Sequence, residues 1–486
     1  MEIEKTNNLE VITTVEQQSQ NEIFKIILNE ITWIDFRKLA GKAYTDDIKK
    51  PLSLKHFIVP IAESILRISR KVGFQLAKHN SIIYLFNGCY WVAIAEDKLG
   101  AFLGTCSIKM GVGANESKYF KFRENLLSQF YSSAYFENPK ISNDKVLINL
   151  KNGTFEVSED GQILRAFNPE DFIRYQLPFG YDTTATAPQF QKYLDRVLPD
   201  KDLQNILSEY LGYVFVKNLK LEKVLLLFGG GGNGKSVIFE IINKLFGTQN
   251  ITNFPLDSLN EPQNRAELEG KLLNYASELK DGIDSDIFKQ LASGEPIFTR
   301  KLYQAPYVMT DYAKLMFNTN RLPKNVEHND AYFRRFIIIP FTETITAEEK
   351  DVELHNKIIN NELSGVFNWV LLGLNRVIMN KKFTSSKISI TFLEKYKNES
   401  DTVAMFLEEQ GYEKDFDGKY TPAINLYNSF KEYSKTYGYI PINFKNFKMR
   451  LESKKISVYK TSIGLVANVV RIAPILDKNN QILILT

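Results

Sequence analysis

Cysteine is nearly absent from the 486-residue chain, with two residues, Cys89 and Cys106, and histidine stands at four, His56, His79, His328 and His355. No C-x-x-C pair or Cys/His cluster occurs, which argues against a zinc ribbon or zinc finger. Two isolated cysteines suit a reducing cytosol and read as buried packing residues. No apolar run approaches the length that crosses a bilayer. The opening MEIEKTNNLE lacks the basic-then-apolar layout of a signal peptide. A cytoplasmic protein with no membrane partner is expected. Charge of one sign is not in excess either: the formal net charge is +4, too small to diagnose nucleic-acid binding, so any basic surface has to be local. Internal repeats and low-complexity tracts are also missing. What remains, 44% hydrophobic and 24% charged, is ordinary globular composition. The length accommodates about two to four domains.

Residues 223–246, KVLLLFGGGGNGKSVIFEIINKLF, organise the chain. The apolar run Val224–Phe228 has the length of a strand buried on both faces. Val237, Ile238, Ile241, Ile242, Leu245 and Phe246 then recur at helical spacing. Between them, Gly229, Gly230, Gly231, Gly232, Asn233, Gly234, Lys235 and Ser236 fit G-x-x-x-x-G-K-[ST]. A triphosphate needs a concave set of backbone N–H groups, and glycines adopt the required angles without a Cβ in the way. The helix start directs its positive end at the phosphates. Lys235 is expected on the β and γ phosphates and Ser236 on Mg²⁺. The alternative, a glycine-rich turn between strand and helix, explains less of the pattern. Residues 229–237, with Val237, are therefore the expected nucleotide-binding stretch.

Upstream, residues 1–21 are polar and Gln-rich, and helical spacing follows to about residue 70. Residues 81–94, SIIYLFNGCYWVAI, have the form strand, Asn-Gly turn, strand. Trp91 and Tyr84 are candidates for stacking on a base, though packing on a core is the commoner fate of such residues. Residues 145–167 alternate across turns at Asn152-Gly153 and Asp160-Gly161 and read as two or three short strands. Helical stripes cover 188–211. A second apolar strand, from Lys271, ends at Glu278, and a helix is expected over about 284–292. Residues 296–309 read as a hairpin with Arg300 and Lys301 near its tip. Further apolar strands end at Asn320 and follow Arg334 and Arg335. Strands separated by helices argue for a parallel α/β sheet. Residues 348–379 read as helical with Leu354, Ile358, Leu363, Val366, Trp369 and Leu372 on the apolar side, and 381–399 as a linker with its own helix. The last segment shows helices near 402–409, 423–436 and 443–453, then strand-like runs at 456–460, 465–472 and 482–486. Helices followed by a terminal hairpin are the layout of a winged helix-turn-helix.

Ligands of an open α/β sheet sit at the carboxyl ends of its strands. Glu278 is placed to hold Mg²⁺ through water or to orient the attacking water, and Asn320 to touch the γ phosphate or that water. Either Arg334 or Arg335 suits the role of an arginine supplied to a neighbouring subunit's phosphoryl group; the alternative is a surface or DNA-facing pair. Arg300, Lys301 and Tyr303 on a thin projection suit a single-stranded backbone with its bases. Lys445, Lys448 and Arg450 form a basic helix ahead of a wing, suited to phosphate contacts; a solvated or protein-docking helix is the alternative.

These residues, in this order, resemble the superfamily 3 helicases, and most closely the helicase half of the phage/plasmid primase family, to which the poxvirus helicase-primase is related. The pieces are GGGGNGKS (229–236), KLLNYASEL (271–279), FKQLASGEPIFTRKLY (288–303), KLMFNTNRLP (314–323) and DAYFRRFIIIPF (330–341). They look like the Walker A, Walker B, B-prime, motif C and arginine-finger elements. Upstream, NGTFEV and PEDFIRYQLPFGYD look like the region preceding the ATPase in that family. The resemblance implies an AAA+-like P-loop ATPase core with a parallel sheet (221–383), preceded by a polar tail (1–21), an α+β N-terminal domain (22–185) and a helical collar (186–220). A winged-helix domain (395–486) would follow it. It further implies a ring, usually a hexamer, that binds ATP and Mg²⁺ between subunits and translocates on single-stranded DNA, with Arg300 and Lys301 lining the channel. Forked DNA, origin DNA and a separate primase are the implied partners. Two departures stand out: Ser277 precedes Glu278 where many family members carry a second carboxylate, leaving Asp281 as a further acid nearby, and neither zinc-binding cysteines nor a paired-carboxylate motif of the kind a primase site needs is recognisable, so no primase role is carried over.

Overall fold

The apolar runs that flank the glycine loop come together in one parallel sheet. The computed structural model of the chain describes residues 18–79, 82–135, 145–158, 161–279, 283–323 and 328–472. Its strands, in chain order, are β1 (Gln75–His79), β2 (Ile82–Phe86), β3 (Trp91–Ala93), β4 (Val146–Leu150), β5 (Gly153–Ser158), β6 (Gly161–Arg165), β7 (Val224–Phe228), β8 (Ile251–Thr252), β9 (Leu273–Ala276), β10 (Ile297–Thr299), β11 (Tyr307–Met309), β12 (Lys314–Thr319), β13 (Phe336–Pro340), β14 (Tyr412–Lys414), β15 (Thr421–Pro422), β16 (Val458–Thr461), β17 (Gly464–Ala467) and β18 (Val469–Arg471).

The central sheet has the order β13-β7-β12-β9-β8, with every neighbouring pair parallel. Burial on both faces makes its strands continuous apolar runs rather than alternating ones. Alternation still decides which core each residue enters. Leu225 and Leu227 of β7 and Ile337 and Ile339 of β13 join the core built with the helices Pro188–Val197, Lys201–Tyr213, Lys235–Phe246 and Leu363–Asn380. Val224 and Leu226, and Phe336 and Ile338, face the opposite core with Phe288, Tyr332 and Tyr396.

The N-terminal helices Gln20–Glu30, Lys55–Lys71, Glu96–Lys109 and Phe120–Ser133 form a core of their own with β1 and β2. The first helix starts on a full capping box, Ser19 with Glu22. The antiparallel sheet β4-β5-β6 belongs elsewhere: Ile148, Leu150, Phe155 and Val157 pack into the core of the large sheet. Both cysteines are free and buried, and burial pushes the Cys106 thiol far up.

One pair of alternatives is decided for the commoner one, and two expectations change. Trp91 and Tyr84 are 1% and 6% exposed; they pack with Phe86 and Phe172, and the Trp91 indole donates to the Pro169 carbonyl at 2.8 Å, so neither is presented for stacking. Leu372 points to solvent at 60% exposure, because Val370, Leu371 and Leu374 carry the apolar face of their helix. Residues 381–399 are not a linker: the helix Lys387–Glu399 lies on β13 and buries Tyr396 in the sheet's core. The C-terminal helices Thr402–Glu409, Ala423–Thr436 and Phe444–Ser453 share one core with strands β16 to β18, which form small antiparallel sheets with β14 and β15. The strand expected at 482–486 lies outside the described residues.

Among the described residues no helix is long and apolar enough to cross a membrane.

Candidate functional site

The glycine loop leaves the carboxyl end of β7, the first strand of the sheet in chain order, which lies between the fourth and fifth, β12 and β13. The chain leaves β7 towards one side of the sheet and returns to the other with β13, so the loop sits at a topological switch point, where open α/β sheets form their crevices. Gly234 caps the helix Lys235–Phe246 with φ +84°, and Gly231 and Gly232 also hold positive φ. At Gly229 the requirement is space: a Cβ would lie 2.1 Å from Asn233 Nδ2 and 2.7 Å from the Phe341 carbonyl. The loop is braced from outside. Asn233 Nδ2 donates to the Phe341 carbonyl at 3.0 Å, the Tyr193 hydroxyl to the Gly234 carbonyl at 2.7 Å, and the Ile345 N–H to the Gly232 carbonyl at 2.9 Å.

Lys235 is buried, and its ammonium donates to the Gly229 carbonyl at 2.7 Å and to Asn233 Oδ1 at 2.8 Å. Both acceptors are neutral, and desolvation pulls the ammonium below the usual lysine range. Gly230, Ser236 and Val237 complete the stretch, with Ser236 exposed at the first turn of the helix.

Glu278 lies two residues beyond β9 and Asn320 one residue beyond β12, both exposed. The parallel pairing of β7, β12 and β9 brings Lys235, Glu278 and Asn320 to one end of the sheet. Beneath them, the Tyr275 hydroxyl donates to Asn318 Oδ1 at 2.8 Å, a buried polar tie between β9 and β12. Asp281 lies outside the described residues.

Arg334 and Arg335 sit at the other end, just ahead of β13. The structure separates them. The Arg334 side chain is 64% exposed and pairs with Glu222 at 3.3 Å, whereas Arg335 is 8% exposed, donates to Ser293 Oγ at 3.0 Å and to the Ala331 carbonyl, and also meets Glu222. Lys223 fixes this corner by donating to the Arg334 carbonyl.

β10 and β11 form the expected antiparallel hairpin. Tyr303 at its tip is 97% exposed with φ +60°, and Phe298 and Leu302 are exposed as well. Arg300 is exposed, but Lys301 turns back to Glu269 at 3.4 Å, and Tyr307 donates to the same carboxylate. In the C-terminal unit Lys445 is exposed and Lys448 pairs with Glu452 at 3.6 Å. Arg450 faces inward: its side chain is 13% exposed and pairs with Asp401, which also holds Lys454. As a DNA-contacting residue Arg450 is therefore corrected, since its helix periodicity turns it to the core side.

Sequence reasoning missed Asn318, Tyr193 and Phe341. Asn318 stands in an otherwise apolar strand, which is a readable signal. Tyr193 and the Phe341 carbonyl contribute through tertiary contacts that no local pattern records. Among the described residues no group of three or more His, Cys, Asp or Glu side chains is arranged to hold a metal by itself.

Fold and site together define a mixed α/β protein with a five-stranded parallel sheet and a braced glycine-rich loop at its switch point. Residues 76–199 match the family model described as D5 N terminal like, and residues 227–335 match one described as a family of unknown function, DUF5906. "Putative helicase 121R" of Invertebrate iridescent virus 3 is 23% identical over 344 residues, covering 62% of this chain and 36% of that protein. "Putative helicase 184R" of Invertebrate iridescent virus 6 is 26% identical over 277 residues (48% and 28%). "Putative helicase L207/L206" of Acanthamoeba polyphaga mimivirus is 24% identical over 235 residues (45% and 24%). These matches make the chain similar to D5-type helicase/primase proteins. The match covers between 24% and 36% of the length of these curated relatives. Among solved structures, an A-form apo structure of the NrS-1 C-terminal region is 14% identical with a TM-score of 0.47, covering 84% of this chain and 98% of that one. A second apo structure of that region is 13% identical with a TM-score of 0.45, covering 86% and 99%.

Proposed function

We propose that this chain is an ATP-dependent DNA helicase that translocates on single-stranded DNA during replication of a phage, plasmid or other mobile element. The observation that carries the reading is Lys235, held on neutral acceptors inside a braced glycine loop, with Glu278 and Asn320 at the ends of neighbouring strands. Phosphate oxygens are charged acceptors and outcompete a carbonyl and an amide for the Lys235 ammonium. Residues 229–234 offer backbone N–H groups to the β and γ phosphates, and the following helix adds its positive end.

Mg²⁺ suits this donor set: it is usually held by one or two protein groups plus substrate phosphates rather than by an all-protein cage. Ser236 and Glu278 would hold it, Glu278 through water, and the ion would supply charge neutralisation on the phosphates. Glu278 orients the attacking water, and Asn320 bonds the γ phosphate or that water. Arg334 lies at the far end of the strand from its own loop, across β13, which spans about 13 Å. It therefore serves a neighbouring copy, and the assembly is a ring, a hexamer by family resemblance. Arg335 has the packing of a structural residue. Arg300 and Tyr303 on the hairpin take the single strand, and Lys445 and Lys448 contact duplex or origin DNA. A separate primase or other replication protein is a further partner, and the setting is cytoplasmic.

A loader, or a DNA-binding regulator switched by ATP, would share this site without processive unwinding. ATPase rate with and without single-stranded DNA, measured beside forked-duplex unwinding, separates the readings. The expected result is DNA-stimulated hydrolysis and unwinding, both lost in Lys235→Ala, while Arg300→Ala/Tyr303→Ala keeps basal hydrolysis and loses stimulation and unwinding. Hydrolysis without unwinding on either a 3′ or a 5′ tail would replace the helicase by the loader or regulator.

A further inference from the structure

A crevice of about 1530 Å³ opens at the end of the sheet away from the glycine loop. One wall is the N-terminal sheet and residues 171–175; the other is the amino ends of β9 and β12 with residues 214–220; the hairpin flank 304–308 closes the side. The volume exceeds the roughly 300–1,000 Å³ of small-molecule sites, which favours a polymeric ligand.

The lining carries eight Lys/Arg and five Asp/Glu. The acids are mostly consumed: Glu156 pairs with Lys145 and Arg165, Asp171 with Arg165, Asp311 with Arg174 and Lys217, and Glu269 with Lys301. Among the described residues no carboxylate lies within ion-pair distance of the remaining three cations, Lys220, Lys271 and Lys314. Lys314 stands over the Tyr213 ring at 4.4 Å and donates to its hydroxyl at 3.2 Å. Burial pushes it down to about 8, and a phosphate beside it would favour its charged form. The floor also presents Phe172, a half-buried non-glycine residue at φ +48°, ψ +39°, whose ring lies tilted against His79 at 4.9 Å. A bulky side chain in the left-handed region is strained, and such strain persists where its surroundings over-determine it. Lys271 donates to the Gln249 carbonyl, a neutral acceptor, so among the described residues these three cations have no charged partner; cations left for phosphate beside aromatic rings suit a single-strand groove.

We propose that this crevice is a second binding site for single-stranded nucleic acid, continuing the path from the hairpin tip to the N-terminal sheet. Lys220, Lys271 and Lys314 take the phosphates, and Phe172 and Tyr131, a half-buried ring of the helix Phe120–Ser133 that also lines the crevice, meet the bases. The assignment rests on the DNA-binding reading above.

The test is anisotropy of labelled dT20 on the full chain across KCl concentrations, with rU20 and linear polyphosphate as competitors. Lys220→Ala/Lys271→Gln is compared with Arg300→Ala/Tyr303→Ala. The crevice variant is expected to keep basal ATPase, bind dT20 about tenfold more weakly at 100 mM KCl, and lose about 1.4 from the log–log salt slope, two phosphate contacts. Cross-links from 4-thiothymidine are expected at Phe172 or Tyr131. An unchanged slope with lost affinity means the loss is not phosphate contact and overturns the site. So does unchanged affinity beside a weakened hairpin variant, or polyphosphate competing as well as the oligonucleotides. If wild type binds no dT20, the DNA-binding reading falls first and the crevice with it.

Discussion

Replacing Arg334 and Arg335 one at a time tests the ring most directly, because the two adjacent residues occupy opposite environments. Arg334 is exposed and its pair with Glu222 is a surface ion pair. Its loss as Arg334→Ala is expected to cost no more than about 1 kcal/mol of stability. Arg335→Ala removes a buried guanidinium from Ser293, the Ala331 carbonyl and Glu222. That loss is expected to cost about 2–3 kcal/mol. Hydrolysis should divide the other way: Arg334→Ala falls about a thousandfold or more if it is a finger acting in trans, while the folded fraction of Arg335→Ala retains most activity. Thermal unfolding and steady-state ATPase read both quantities. A mixture then identifies the subunit that supplies the arginine. Arg334→Ala and Lys235→Ala are each inactive, but at equal amounts about one quarter of head-to-tail interfaces join an intact Lys235 to an intact Arg334. Activity recovering towards that fraction is expected. A mixture no more active than its components, with mixed rings demonstrated, refutes the trans assignment.

Three further outcomes follow from the geometry. Gly229→Ala forces a methyl against Asn233 and the Phe341 carbonyl, so nucleotide binding, read with a fluorescent ATP analogue, is expected to drop at least tenfold; an unchanged affinity means the loop does not cradle phosphate. Lys314 has a native pKa of about 8, set by burial and opposed by Asp311, with Lys220 adding repulsion. The unfolded chain therefore binds more protons between pH 8 and about 10.5, so stability rises with pH there and the penalty is full below pH 8. Against Lys314→Met, wild type is expected to gain about 3 kcal/mol across that window, read by denaturant titration at several pH values; parallel pH profiles refute it. In the C-terminal unit, Arg450→Ala is expected to lower thermal stability while Lys445→Ala leaves it unchanged and weakens duplex binding; the reverse pattern would falsify the inward assignment of Arg450.

Much of the sheet was legible because burial on both faces leaves strands as short uninterrupted apolar runs: Val224–Phe228 and the runs ending at Asn320 and Pro340 need no partner to be recognised. Lys235 was legible for a related reason, since loop chemistry is local in sequence. The distinction between Arg334 and Arg335 was not legible, because both precede β13 and only the packing of Ser293 and Ala331 buries one of them. For Trp91 and Tyr84 core packing is the favoured reading of the pattern, but what covers them, Phe167 and Phe172 about 80 positions later, was not legible. The helix Lys387–Glu399 was legible, but the pattern places it in a linker, and only β13 shows what its apolar side meets. The missing information in each case is a contact between segments distant in sequence.

Parallel pairing gives the sheet two chemically different ends. At the carboxyl ends the chain turns into loops whose N–H groups and short polar side chains are free to converge, and Lys235, Glu278 and Asn320 collect there. At the amino ends the strands begin after cations, Lys223 before β7, Lys271 before β9, Lys314 opening β12 and Arg334–Arg335 before β13. A single chain therefore holds its acceptor-binding loop and its surplus positive charge about 13 Å apart. On the helicase reading that separation has a use: nucleotide at one end meets arginine from the next copy, and at the other end Lys271 and Lys314, held only by neutral acceptors, can turn to a phosphate backbone. The rigidity that keeps the two ends apart comes from the sheet itself, buried on both faces and tied internally by Tyr275 to Asn318.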